Sequence, residues 1–122
     1  MGGPEMKMMN LASLIGQNIP VFFKQGVKFD GVKTETLAGI MVASFVYYRN
    51  GHALTVLKLV TENPGVERLR TAHDQGLAFD IRTQMIAKAK QPRMVEALKD
   101  ALGEDYNVVL EFDHIGVEFD PK

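Results

Sequence analysis

The chain is expected to fold as one α+β domain, a mostly antiparallel central sheet with helices packed against it. Two observations carry that expectation. Runs rich in β-branched and aromatic residues, bounded by Asn, Pro, Gly and Asp, recur at 52–62, at 77–83 and twice after residue 105. Among them lie two stretches in which apolar residues return at helical spacing. A length of 122 residues suits a single domain that buries its core without disulfides.

Taken in order, residues 1–18 (MGGPEMKMMNLASLIGQN) read as a loosely held arm and residues 19–122 as the domain. NIPVFFKQGVKFDG reads as two short strands with Gln25-Gly26 as the turn between them. From Thr34 the period changes: Leu37, Ile40, Met41, Phe45 and Tyr48 predict a helix over 35–49, and Asn50-Gly51 supplies its stop. That helix is apolar enough to lie across a sheet, with its aromatics in the core. HALTVLKLVTE predicts a strand near 54–62, ended by Asn63-Pro64-Gly65. GVERLRTAHDQG is a loop, and LAFDIRT a second central strand near 77–83. Pro92 suits a first helical position, so a helix is expected over 92–102 through Val95, Leu98 and Leu102 to Gly103. YNVVLEFD and IGVEFD close the chain as strands near 106–112 and 115–119. No internal repeat, low-complexity tract or second domain is visible.

The composition is 46% hydrophobic and 24% charged with a formal net charge of −1, which argues against disorder and against a general nucleic-acid binder. There is no cysteine, which excludes thiolate zinc sites, cysteine nucleophiles and disulfides. Any metal would be held by His, Asp, Glu or water. The apolar run in KMMNLASLIG is short, broken by Asn10 and Ser13, and followed by no A-x-A site, so no signal peptide is expected. No window approaches the ~20 apolar residues of a membrane span. Synthesis in the cytoplasm as a soluble protein is the expectation.

The chemistry concentrates in RTAHDQGLAFD, residues 70–80. On the strand that follows the turn, Leu77, Phe79 and Ile81 share one face, and Ala78, Asp80 and Arg82 the other. A carboxylate among such neighbours is costly unless it is paired; a salt bridge, a hydrogen-bond network or a metal would each serve. His73 can fold back across the Gly76 turn beside Asp80. His114 lies where the two terminal strands meet, with Glu111 three residues before it. Two imidazoles and one carboxylate are a common set for a catalytic zinc that keeps a position open for water. A nearby carboxylate can take a proton from that water, and Glu111 is the natural candidate. Structural His–Asp pairs show the same spacing, so the three solutions stay open on these residues alone. Strand parity puts His114, Gly116 and Glu118 on one face and Glu111 on the other, unless a bulge or bend near Phe112-Asp113 turns it inward.

TAHDQGLAFDI resembles the S-x-H-x-x-G-x-A-x-D motif of the zinc D-alanyl-D-alanine peptidases, a family that includes many phage endolysins. Thr71 stands for the serine, and His73, Gly76, Ala78 and Asp80 are in register. VVLEFDHIGVEFDP resembles the second motif, an acidic residue three before a histidine on a late strand. The resemblance spans roughly residues 52–121. It implies a fold like that of hedgehog and the D-Ala-D-Ala peptidases, with His73, Asp80 and His114 as Zn2+ ligands and Glu111 as general base. It also implies a substrate, peptides containing D-amino acids in bacterial peptidoglycan, cut by a carboxypeptidase or an endopeptidase. The small size resembles phage-encoded members, which act on the cell wall as endolysins or are carried in a virion. No nucleic-acid partner is implied.

One departure stands out. Many relatives end in H-x-H-V-E, where this chain has His114-Ile115-Gly116-Val117-Glu118. In the branch with an acid three before a single histidine the site is complete; in the branch that uses the second histidine, Gly116 cannot serve. Asp113 and Glu118 lie close enough in sequence to approach a metal but are expected to be solvated or structural. Arg68, Arg70 and Arg82 lie near the first motif, and Arg82 and Arg70 are the candidates to meet a substrate carboxylate or an oxyanion. His52, after Gly51, reads as a solvated turn residue. The alternative to the enzyme is a non-catalytic or degenerate member of the same fold, acting as a binding or virion structural protein. A third option is an unrelated α/β domain in which His73 and Asp80 are a buried pair.

Overall fold

The computed structural model describes the backbone of residues 6–12, and residues 19–60, 72, 73 and 75–122 with their side chains. It is a small α+β structure: one mixed sheet with two helices. The strands are β1 (Met6–Ala12), β2 (Ile19–Lys24), β3 (Leu54–Lys58), β4 (Ala78–Arg82), β5 (Tyr106–Leu110) and β6 (His114–Phe119), and the helices α1 (Thr34–Arg49) and α2 (Gln91–Leu102). The sheet order is β1-β2-β3-β4-β6-β5. β2 and β3 pair in parallel, and every other ladder is antiparallel. Within the segment expected as an arm, residues 6–12 form β1 against β2.

One face of the sheet carries Val21, Phe23, Leu54, Val56, Phe79, Ile81, Val108, Ile115 and Val117, all buried. Against them pack Ile40, Ala43, Val46 and Tyr47 of α1 and Met94, Val95 and Leu98 of α2. Burial of this kind stabilises by roughly 25 cal/mol per Å² of apolar surface. Gly39 lets α1 approach closely, since a Cβ there would lie 2.9 Å from the Tyr106 ring and 3.1 Å from that of Phe79. The helix ends where Gly51 takes a φ of 85°, and the Asn50 side chain donates to the Val46 carbonyl at 2.7 Å. A short 3-10 helix, Lys88–Lys90, precedes α2, which begins one residue before Pro92.

The Gln25-Gly26 turn is present, but no second strand follows it. Residues after it make a single bridge, Lys28 to Val60. The reason is topological: β2 already pairs on one side with β1 and on the other with β3, so no edge is left for a hairpin partner. Of the strand expected over 54–62, β3 covers Leu54–Lys58, with a register irregularity against β4 between Val56 and Lys58, and residues 61 and 62 lie outside the described residues.

Candidate functional site

His73 is held over the mouth of β4 by a tight turn. Gly76 N–H donates to the His73 carbonyl at 3.1 Å and Leu77 N–H to that of Ala72 at 2.8 Å. Gly76 has φ 73°, and a Cβ there would run into the Gly31 carbonyl and the Val32 Cα, so only glycine fits. Its own carbonyl accepts from Lys33 N–H at 3.0 Å and from the buried Thr36 hydroxyl at 2.7 Å. The glycine of the motif thus fastens the histidine turn to the start of α1.

Asp80 projects from β4 on the face away from the helices, between two imidazoles. His73 Nε2 lies 3.1 Å from Asp80 Oδ1, and His114 Nε2 lies 3.6 Å from Asp80 Oδ2. The side chains of His73 and Asp80 are each 16% exposed, which makes an unpaired carboxylate costly there. Each imidazole is oriented from behind: His73 Nδ1 donates to the Leu59 carbonyl and His114 Nδ1 to Asp113 Oδ1, both at 2.8 Å. The acceptors fix the Nδ1 hydrogens, so both Nε2 atoms turn toward one carboxylate. A bare nitrogen lone pair on His73 Nε2 would repel the carboxylate 3.1 Å away, so a proton or a metal ion is favoured there. For His73 the shift is in that direction. Burial disfavours its imidazolium, but the Asp80 hydrogen bond, the Leu59 carbonyl and the Asp80 charge outweigh burial and raise its pKa above the ordinary 6.5.

Glu111 joins this face through a hairpin. Val109 pairs with Gly116, and Glu111 N–H donates to the His114 carbonyl at 2.8 Å, with Phe112 and Asp113 forming the bend between the strands. Cross-strand partners in a hairpin share a face, so Glu111 stands beside His114. One cross-strand row runs Lys58, Asp80, Gly116, Val109. These residues, with His73, Glu111, His114 and Glu118, line one cavity of about 420 Å³. A Cβ added at Gly116 would stand at ordinary contact distance, 3.5 Å, from Asp80 Oδ1.

Among the described residues, Glu118 is the one other expected participant that lines this cavity. Asp113 is exposed and engaged with His114, whose hydrogen bond and charge hold its carboxyl below the usual range. Glu118 accepts from Asn107 Nδ2 at 3.2 Å. Arg82 is the cross-strand neighbour of His114 but lines an adjoining cleft. Its carbonyl accepts from the buried Tyr47 hydroxyl at 2.9 Å, and burial raises the pKa of that hydroxyl. Arg68, Arg70 and Thr71 lie outside the described residues. His52 is half-buried, its ring 6.4 Å from that of Tyr47. Lys58 escaped sequence reasoning because the β3 bulge breaks the two-residue alternation that would place it on the helix side.

Zinc suits this donor set in type, two imidazoles and a carboxylate. As they stand, no three His, Asp or Glu side chains among the described residues are grouped closely enough to enclose an ion.

No protein-family model matches the chain, and neither the curated proteins nor the solved structures contain a significant match to it. No helix among the described residues is long and apolar enough to cross a membrane.

Proposed function

We propose that this chain is a zinc-dependent peptidase that hydrolyses peptide bonds at D-amino acids in bacterial peptidoglycan, on a fold of the hedgehog and D-Ala-D-Ala peptidase type. The observation that carries this proposal is the convergence of two back-oriented imidazoles on Asp80, with Glu111 on the same cavity wall. Metal-ligating histidines commonly donate their other ring N–H to a carbonyl or carboxylate, as both imidazoles do here.

His73, Asp80 and His114 would hold the ion. When bound, zinc supplies Lewis acidity toward a carbonyl and toward water. Glu111 carries the proton: its carboxylate accepts one from the attacking water and returns it to the leaving amine. Its place opposite His114 in the hairpin keeps it next to the ligand set while leaving it exposed to substrate. Leu59 and Asp113 keep the imidazoles turned inward, and the missing side chain at Gly116 leaves room above Asp80. The proposal includes the setting that the motifs imply, a small phage-encoded protein acting on the cell wall.

A second reading draws on the same glycine. Gly116 faces the cavity directly opposite Asp80, where a further ligand could have stood. If that ligand has been lost, the chain is a binding or virion structural domain on the same fold. Hydrolysis of purified peptidoglycan fragments, with and without added zinc, separates the two. Zinc-dependent release of peptide or D-alanine is the expected result, and zinc-loaded protein that cleaves none of the fragments would leave the binding domain.

A further inference from the structure

Strand β5 is an edge of the sheet, with β6 as its neighbour on one side and, among the described residues, none on the other. Glu111 N–H donates to the His114 carbonyl and Asp120 N–H to that of Asp105. The odd-numbered residues of β5 therefore turn their backbone groups toward β6, and Tyr106, Val108 and Leu110 turn theirs outward. The Tyr106 N–H is taken by the Gly103 carbonyl at 3.3 Å. Those of Val108 and Leu110 have no partner among the described residues.

This edge is apolar and unguarded. β5 reads YNVVL, without charge or proline. β1, at the opposite edge, carries Lys7 and a register irregularity between Asn10 and Ala12, both of which discourage pairing. Val109 is 50% exposed, Leu110 37% and Phe112 87%. Tyr48 and Met85 are the other large hydrophobic residues exposed among the described ones, so most of that surface gathers along β5 and its end. Helix α2 does not cover the strand: a cavity of about 720 Å³ separates Lys99, Asp100 and Gly103 from residues 106–109.

We propose that β5 is a dimer interface, at which a second copy of this chain adds its own β5 in antiparallel pairing and the two sheets become one. The strand is complementary to itself. With Val109 on the two-fold axis, Val108 of each copy meets the partner's Leu110, and they exchange N–H to carbonyl bonds in both directions, which satisfies every free donor of the edge. On the open face Val109 then meets the partner's Val109, an apolar pair, and Glu111 meets the partner's Asn107. Moving the axis to Val108 satisfies the same donors but sets Asp105 beside the partner's Glu111, like charges in contact. A stem peptide suits the edge less well, because D-residues break the alternation of side chains that an L-strand pairs with. The axis stands perpendicular to the sheet, so both candidate sites open on the same face. The partner's Asn107 joins the wall that Val109 and Glu111 give to each cavity.

The test uses the full chain without zinc or substrate, so it stands apart from the peptidase reading. Sedimentation over a dilution series should give twice the monomer mass, falling to the monomer on dilution. Val109→Lys puts like charges on the axis and should weaken the dimer about 100-fold or more with an unchanged circular dichroism spectrum. Mixing it with Val109→Glu should restore the dimer. The chain has no cysteine, so single cysteines report the register. Val109→Cys should form an intermolecular disulfide on mild oxidation, since facing Cα atoms of a non-hydrogen-bonded pair lie about 4.5 Å apart, and Asn107→Cys should not. A wild type that stays monomeric, a dimer that survives Val109→Lys, or cysteines that cross-link equally at 107 and 109 overturns the interface. A monomeric wild type that binds peptidoglycan peptides, with Val109→Lys weakening that binding, assigns the edge to substrate and overturns it as well.

Discussion

Asp80 and Gly116 face each other across the β4–β6 ladder, and the space above the glycine is part of the cavity that contains both histidines. A side chain at 116 would therefore enter the site directly over the carboxylate, and its Cβ fits at 3.5 Å from Asp80 Oδ1. Gly116→His should fold normally, raise zinc affinity by adding a donor, and lower hydrolysis by filling the open position. Zinc titration and peptide hydrolysis on the same preparation check this. An inactive wild type rescued by Gly116→His would instead identify a vacated ligand.

The two imidazoles are oriented by different means. His73 donates to a backbone carbonyl, which substitution cannot remove, whereas His114 depends on the exposed Asp113 carboxylate. Asp113→Ala should leave the fold intact and weaken zinc binding about 10–100-fold, the usual cost of losing an orienting partner behind a ligand. Competition with a chelating dye measures it, and unchanged affinity would show that Asp113 does not hold the ring.

Metal-free protein should respond to pH through His73. Its pKa is raised on folding, so its contribution to stability is fully present below the unfolded value near 6.5 and is lost as pH rises through the folded value. Denaturant titrations of metal-free wild type and His73→Gln between pH 5 and about 8.5 should diverge most at the acid end. Parallel curves for the two proteins would contradict the His73–Asp80 coupling.

Gly76 joins the motif to the fold. An alanine there must adopt φ near 73° and displace the Gly31 and Val32 backbone. Gly76→Ala should destabilise the protein by about 3 kcal/mol in urea unfolding, with zinc affinity falling as the histidine turn loosens. Gly116→Ala, a strand glycine with room for a methyl group, provides the contrast and should cost little.

Much of this was legible in the chain. Helical periodicity located α1 and α2, observed at Thr34–Arg49 and Gln91–Leu102, but the face of α1 that is buried runs through Ile40, Ala43, Val46 and Tyr47, whereas Phe45 is only half-buried and Tyr48, expected in the core, is exposed. Alternation located β4, observed at Ala78–Arg82, and set Asp80 on the opposite face from Phe79 and Ile81. The inward turn of Glu111 depended on a bend near Phe112-Asp113, and the hairpin supplies it. Other features depend on neighbours that no local pattern encodes. The parallel β2–β3 pairing removed the partner that residues 27–30 would have needed. The β3 bulge carried Lys58 to the open face, and the meeting of Arg82 with Phe112 and Lys88 in one cleft is tertiary.

The most direct test of the zinc peptidase is a paired measurement on wild type and Glu111→Gln: zinc content, and the rate of peptidoglycan-fragment hydrolysis. The predicted result is about one zinc per chain in both proteins, as for a catalytic site with a single ion. The rate should fall by about 10²–10⁴ in the variant, the usual contribution of a general acid–base group. A wild type that binds no zinc, or a Glu111→Gln protein that cleaves at the wild-type rate, would contradict it.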